Sequence, residues 1–325
     1  MSGDYLWDKQ GQPDTLAREL ESTLGSLPWS DAPPARRTVP APRVPVWRRP
    51  AIRAGVAFAA IAMIAGAGIW MTRPSATPWT ALTLTGTPTL EGRELARERS
   101  WRNDQWIETD ASSRVALTGD RVGRVTVEPG SRVRLARADA DQHRVELERG
   151  SISAFIYAPP KLFVVDTPHA AAVDMGCAYT LSVGDDGSAL LKVTGGWVEL
   201  QGTHRLARVP AGAICRTYPA TGGAGVDPGP GIPMFADTSP GVASAIEAIE
   251  RGSLDSLAVL LDACRPRDSL TLWHVLGRVE GEARRSVVDR LITLVAPDGS
   301  LDPGPVLAGE SGAIDRLWEA CRRVW

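Results

Sequence analysis

No strong excess of either charge marks this chain: 36 basic against 38 acidic side chains in 325 residues leave a formal net charge of −2. A general electrostatic drive toward nucleic acid is absent, so direct nucleic-acid binding is not expected. Catalytic and nucleotide signatures are missing as well. No glycine-rich phosphate loop, HExxH or GxSxG occurs, so no catalytic or cofactor-binding residues are assigned, no cofactor is expected, and the chain is read as a non-enzyme. Histidine is scarce, with His143, His169, His204 and His274 scattered. His169 and His204 with Cys177 and Cys215 have the residue types of a zinc set, but every spacing is long where zinc sites bring paired ligands close together. Asp166, Asp174, Asp185 and Asp186 read as solvated turn carboxylates rather than a calcium site. No metal is assigned.

Cysteine is limited to Cys177, Cys215, Cys264 and Cys321, with none in the first half of the chain. That distribution fits an oxidising compartment for the C-terminal bulk. Four cysteines allow three pairings. The chain-local choice, Cys177 with Cys215 and Cys264 with Cys321, puts one bridge in each apparent domain, each worth ~4 kcal/mol in the chain-entropy model.

Long apolar runs are lacking, with one exception. Residues 54–72, AGVAFAAIAMIAGAGIWMT, carry no charge and lie between Arg53 and Arg73. At about 1.5 Å per residue they span roughly 28 Å, close to a bilayer's ~30 Å hydrocarbon core, so a single transmembrane helix is expected. Arg36, Arg37, Arg43, Arg48, Arg49 and Arg53 precede the run and little positive charge follows, which places the N-terminus in the cytoplasm. Trp47, Trp70 and Trp79 near its ends fit a membrane interface. A cleaved signal peptide fits poorly behind 53 residues, and a buried soluble helix is the alternative. Gly55 with Ala59 and Ala62 with Gly66 give small-residue spacings through which two such helices would form a homodimer.

Before the run, residues 1–53 hold one short helix signal. Asp14 is a candidate N-cap, and Leu16, Leu20, Leu24 and Leu27 share a face. A lone helix of this size is marginal without a partner, so these leucines are the candidate cytoplasmic partner-binding residues. Seven prolines in 28–50 read as an extended tether. After a connector over 73–103, residues 104–217 alternate with period two, as in Trp106-Ile107-Glu108, Arg114-Val115-Ala116-Leu117, Arg124-Val125-Thr126-Val127 and Arg132-Val133-Arg134-Leu135. Turn signals recur at Gly119-Asp120, Pro129-Gly130, Arg149-Gly150, Asp185-Asp186-Gly187 and Gly195-Gly196, which predicts a β domain of ten to twelve short antiparallel strands, a roll or jelly-roll. Arg114, Arg124, Arg132, Arg134 and Arg144 on these strands would make either a solvated outer face or one basic face for an anionic partner. Residues 218–240 read as a Gly/Pro linker. Residues 241–325 return to helical period, with a break near Gly252 and Asp268 as an N-cap, and predict a small α-helical domain.

Six segments in order carry a resemblance. They are Thr118-Gly119-Asp120-Arg121-Val122-Gly123, Val127-Glu128-Pro129-Gly130-Ser131-Arg132-Val133, Val145-Glu146-Leu147-Glu148-Arg149-Gly150, Phe163-Val164-Val165-Asp166-Thr167-Pro168, Ala172-Val173-Asp174-Met175-Gly176-Cys177-Ala178-Tyr179 and Val193-Thr194-Gly195-Gly196-Trp197-Val198-Glu199-Leu200. Together they resemble the FecR domain, the extracytoplasmic β domain of bacterial single-span anti-sigma regulators. The resemblance implies a bacterial inner-membrane, single-pass protein with a periplasmic C-terminal bulk. It would relay an outside signal to a cytoplasmic extracytoplasmic-function sigma factor and meet an envelope protein or glycan outside. The competing expectation is a membrane-anchored periplasmic scaffold or binding protein without sigma-factor regulation.

Overall fold

The computed structural model describes residues 79–219 and 229–325. Its strands are β1 (Trp79–Thr85), β2 (Thr89–Leu90), β3 (Arg93–Glu94), β4 (Glu98–Trp101), β5 (Trp106–Glu108), β6 (Arg114–Gly119), β7 (Gly123–Val127), β8 (Arg132–Ala138) and β9 (His143–Ile156). There follow β10 (Phe163–Thr167), β11 (Ala170–Asp174), β12 (Ala178–Val183), β13 (Ala189–Gly195), β14 (Trp197–Gln201), β15 (Leu206–Pro210), β16 (Ala213–Tyr218), β17 (Gly229–Pro230) and β18 (Met234–Phe235). Alternation decides which face each strand turns inward: Val125 and Val127 of β7, Val133 and Leu135 of β8, and Leu191 and Val193 of β13 are all buried.

The strands form two sheets that share one member. The first runs β4-β1-β6-β7-β9-β12-β13-β16, with β17 and β18 added beyond β16. The second runs β3-β2-β5-β8-β9-β10-β11-β14-β15. Residues 143–149 of β9 pair with β8 and residues 150–156 with β7 and β12, so the 14-residue strand passes from one sheet to the other. The passage is at Gly150, whose φ is +88°. A Cβ there would overlap the backbone and hydroxyl of Ser131. That buried serine accepts from the Ser151 N–H at 2.8 Å and donates to the Ser151 carbonyl at 3.0 Å, while its own N–H reaches Thr109 Oγ1 at 2.8 Å. A hydroxyl network thus satisfies the backbone groups that the bend takes out of the ladder. The same device recurs at Gly86, φ +71°, against buried Ser113, whose Oγ accepts from the Thr87 N–H at 2.9 Å.

Between the sheets Trp79 of β1 is fully buried, 5.8 Å from Phe163 and 6.3 Å edge-on from Trp101, and its indole N–H donates to His143 Nδ1 at 3.1 Å. At about 25 cal/mol per Å² and roughly 200 Å² for an indole, its burial is worth ~5 kcal/mol before the entropy of ordering it.

The helices are α1 (Pro240–Glu250), α2 (Leu257–Ala263), α3 (Ser269–Leu276), α4 (Gly281–Val295), α5 (Pro303–Leu307) and α6 (Ser311–Arg322). Ser239 caps α1 through the Val242 N–H, with Pro240 in the first turn, where a missing N–H costs nothing. Leu260, Leu272, Val275, Val287, Val288, Leu291 and Leu317 form the helical core together with Ile232. This core is fastened to the sheets. Buried Glu250 accepts from Tyr218 Oη and the Ile232 N–H, Thr271 Oγ1 donates to the Pro233 carbonyl at 2.9 Å, and Leu270 belongs to the β core.

Four expectations change. No helix among the described residues is long and apolar enough to cross a membrane, so the single transmembrane helix is struck from the fold class, and with it the inner-membrane, single-pass localisation. Residues 54–72, on which that reading and the homodimer rested, lie outside the described residues. The connector assigned to 73–103 is strand from Trp79 to Trp101, because Trp79, Leu95 and Trp101 are core side chains. Arg149-Gly150 is not a turn but the bend inside β9, and β9 pairs in parallel with β10, so the strands are neither all short nor all antiparallel. Finally, residues 229–235 of the supposed linker add β17 and β18 to β16.

Gly150→Val is expected to cost at least ~2 kcal/mol in urea unfolding, from positive φ and overlap with Ser131. Gly130→Ala, at φ +70° but with open space around it, should cost only about 1 kcal/mol. Equal losses at the two positions would refute the role given to the bend.

Candidate functional site

The sequence-derived candidates do not assemble into one site. Leu16, Leu20, Leu24 and Leu27 lie outside the described residues. Cys177, Cys215, Cys264 and Cys321 are all free and buried. Leu181 faces Leu191 and Leu191 faces Cys215, so Cys177 lies two strands away and four residues out of register. That places their Cα atoms ~16 Å apart, well beyond the ~7 Å a disulfide can bridge. Cys177 instead donates to Asp174, whose carboxyl burial pushes up, and Cys264 and Cys321 are separate members of the helical core. Burial raises all four thiols, Cys264 and Cys321 to about 12, so none is an activated nucleophile.

The proposed basic face is neutralised. Arg114 pairs with Glu128 at 2.9 Å, Arg132 with Glu108 at 3.1 Å, Arg134 with Glu146, and Arg144 with Asp166 at 2.7 Å; Arg124 stays exposed. Such surface pairs add ~0–1 kcal/mol each and leave little field for an anionic partner. Nor do the histidines converge: His143 is in the β core against Trp79, whereas His274 is on α3.

A different group comes together where β15 meets α3. Arg205, Arg208, Pro230, Trp273, His274 and Arg278 line a cleft of about 280 Å³. His274 accepts at Nε2 from the Arg208 backbone N–H at 3.1 Å, and its Nδ1 lies 2.8 Å from the Leu270 carbonyl. The two partners dictate the tautomer, with the proton on Nδ1. Burial, together with Arg278 and Arg208, lowers its pKa to about 4, so near neutral pH it is an uncharged cross-link from strand to helix. With both nitrogens engaged it offers no free position for proton transfer.

The Arg208 guanidinium lies 4.8 Å from the Trp318 ring and 5.9 Å from that of Trp197, with Nε 3.3 Å from Glu199. Trp318 packs 5.0 Å from Trp273 and 5.1 Å edge-on from Trp325, whose indole N–H donates to Ser269 Oγ at 3.1 Å. Arg278 is half-buried, and its Nη2 donates to the Pro230 carbonyl at 2.9 Å. Burial, then the nearby Arg205, lowers its pKa. No periodicity marks these residues, which come from three stretches up to about 70 positions apart. The only local sign is Trp273-His274 at the end of a helix followed by an arginine.

Two solved structures resemble the chain. Both are of a candidate anti-sigma factor from Parabacteroides distasonis, each 16% identical over 43% of this chain, with TM-scores of 0.34 and 0.33. This chain spans 63% and 62% of their lengths. No protein-family model matches, and no curated protein does. At that level of likeness, function has to be argued from the residues of this chain.

Two measurements check the site. The unfolded histidine takes up its proton near its ordinary 6.5, the folded one only near about 4; between these values the unfolded chain binds more protons, so stability falls as pH drops. His274→Gln should flatten the fall by up to about 3 kcal/mol between pH 7 and 4, measured by urea unfolding at each pH. For the cysteines, a thiol titration without reductant should find no reactive group in the native chain and four after denaturation; two or none after denaturation would restore the disulfides.

Proposed function

We propose that the chain is a non-enzymatic regulator of the FecR-like, anti-sigma-factor type. Its β domain and helical array receive a ligand or partner, and the stripe Leu16, Leu20, Leu24 and Leu27 holds an extracytoplasmic-function sigma factor. The observation that carries this reading is the placement of the six FecR-like segments. Thr118–Gly123 turns β6 into β7, Val127–Val133 turns β7 into β8, Val145–Gly150 lies in β9, Phe163–Pro168 covers β10, Ala172–Tyr179 turns β11 into β12, and Val193–Leu200 turns β13 into β14. Each short motif therefore does one topological task in one continuous domain. The step from fold to function is family likeness, and the test goes to the partner itself.

Affinity capture with the full-length chain from bacterial lysate should retain a sigma factor. Replacing Leu20 and Leu24 together by Asp should reduce that capture about ten-fold or more, since each change puts a charge on an apolar contact face. A capture containing no sigma factor, or one indifferent to the double substitution, sinks the reading. The cleft at Arg278 favours a second reading, a binding protein without sigma-factor regulation. Deleting residues 2–30 separates the two, because only the binding protein would keep its cellular effect.

A further inference from the structure

We propose that the cleft between β15 and the end of α3 is an oxyanion-binding site, taking the carboxylate or phosphate of a small molecule whose body rests against Trp273. The inference stands apart from the sigma-factor reading, because it rests only on residues of the cleft.

Arg278 is the starting point. Among the described residues its guanidinium makes one hydrogen bond, to the Pro230 carbonyl, and no carboxylate lies within ion-pair distance of it. The acids nearby are otherwise engaged. Glu199 holds Arg208, and Glu250 gives its oxygens to Tyr218 and Ile232 while attracting Arg278 from beyond ion-pair distance. Arg205 adds repulsion. A half-buried guanidinium with no carboxylate at ion-pair distance is an unfavourable arrangement that a bound anion relieves. The rest of the cleft suits one. Arg208 is held between two indoles and a carboxylate, so little freedom is lost when its planar fork meets an oxyanion. His274 stays neutral and leaves Arg278 as the cation nearest the gap that has no ion pair among the described residues. Trp273 supplies an apolar wall. A volume of about 280 Å³ is at the small end for ligand pockets and fits a molecule of monosaccharide size.

Titration of the full chain with sodium phosphate and, separately, with sodium glucuronate at constant ionic strength tests the proposal through tryptophan fluorescence and thermal unfolding. A saturable signal and a raised Tm are expected with at least one anion. Glucuronate alone would identify a carboxylate on a ring, phosphate alone a phosphate ligand, and both a general oxyanion site. Arg278→Gln should weaken binding about ten-fold or more, and Arg278→Lys, which keeps the charge, by less. Should either variant fail to fold, protection of Arg278 from phenylglyoxal by the bound anion, located by mass spectrometry in the wild-type chain, gives the same answer. No saturable response to either anion up to about 20 mM, binding unchanged in Arg278→Gln, or no protection of Arg278 would overturn it.

Discussion

The fold depends on one strand belonging to two sheets. β9 lends its first half to the β8 and β10 pairings and its second to β7 and β12, so the sheets are covalently continuous where a sandwich has only apolar contact between them. A strand can turn this way only if the bend residue tolerates positive φ and the backbone groups leaving the ladder find partners. Gly150 meets the first condition and Ser131 the second. The repetition at Gly86 and Ser113 marks this as a general solution in the chain: the glycine clears space for a buried serine, and the serine replaces the lost ladder bonds.

From that bend the remaining structure follows by burial. With the sheets face to face, Trp79 reaches Phe163 and His143 on the opposite layer, and the first strands become part of the domain. The far edge of the first sheet is then finished by β17 and β18. Their chain leads directly to the helices, and Glu250, Thr271 and Leu270 lock α1 and α3 against the strands. The cleft is a by-product of that docking. It exists because α3 approaches β15 closely enough for His274 to bond the Arg208 backbone, which leaves the arginine side chains facing the remaining gap.

The electrostatics divide the surface into two kinds of arginine. Arg114, Arg132 and Arg134 on β6 and β8 meet carboxylates across neighbouring strands, and Arg144 of β9 reaches Asp166 diagonally on β10. Arg278 is different: it lies just past a helix end, is desolvated by burial and donates to the Pro230 carbonyl of β17 rather than to a carboxylate. Charge count could not distinguish them, since both kinds contribute equally to the net −2.

What the sequence by itself determined was local: that residues 104–217 are built of strands, where Gly130, Gly187 and Gly196 turn the chain, and where the helical period begins after Pro240. Period and turn chemistry act within a few residues and need no tertiary partner to be read. The tertiary structure alone decided the rest. Gly150 reads the same whether it turns or bends a strand, and Trp79 looks like an interfacial aromatic until the second sheet covers it. Cys177 and Cys215 look paired until the register sets them two strands apart. Arg208, His274 and Arg278 become a site only because packing brings β15 and α3 together, a contact between residues about 70 positions apart that no local pattern encodes.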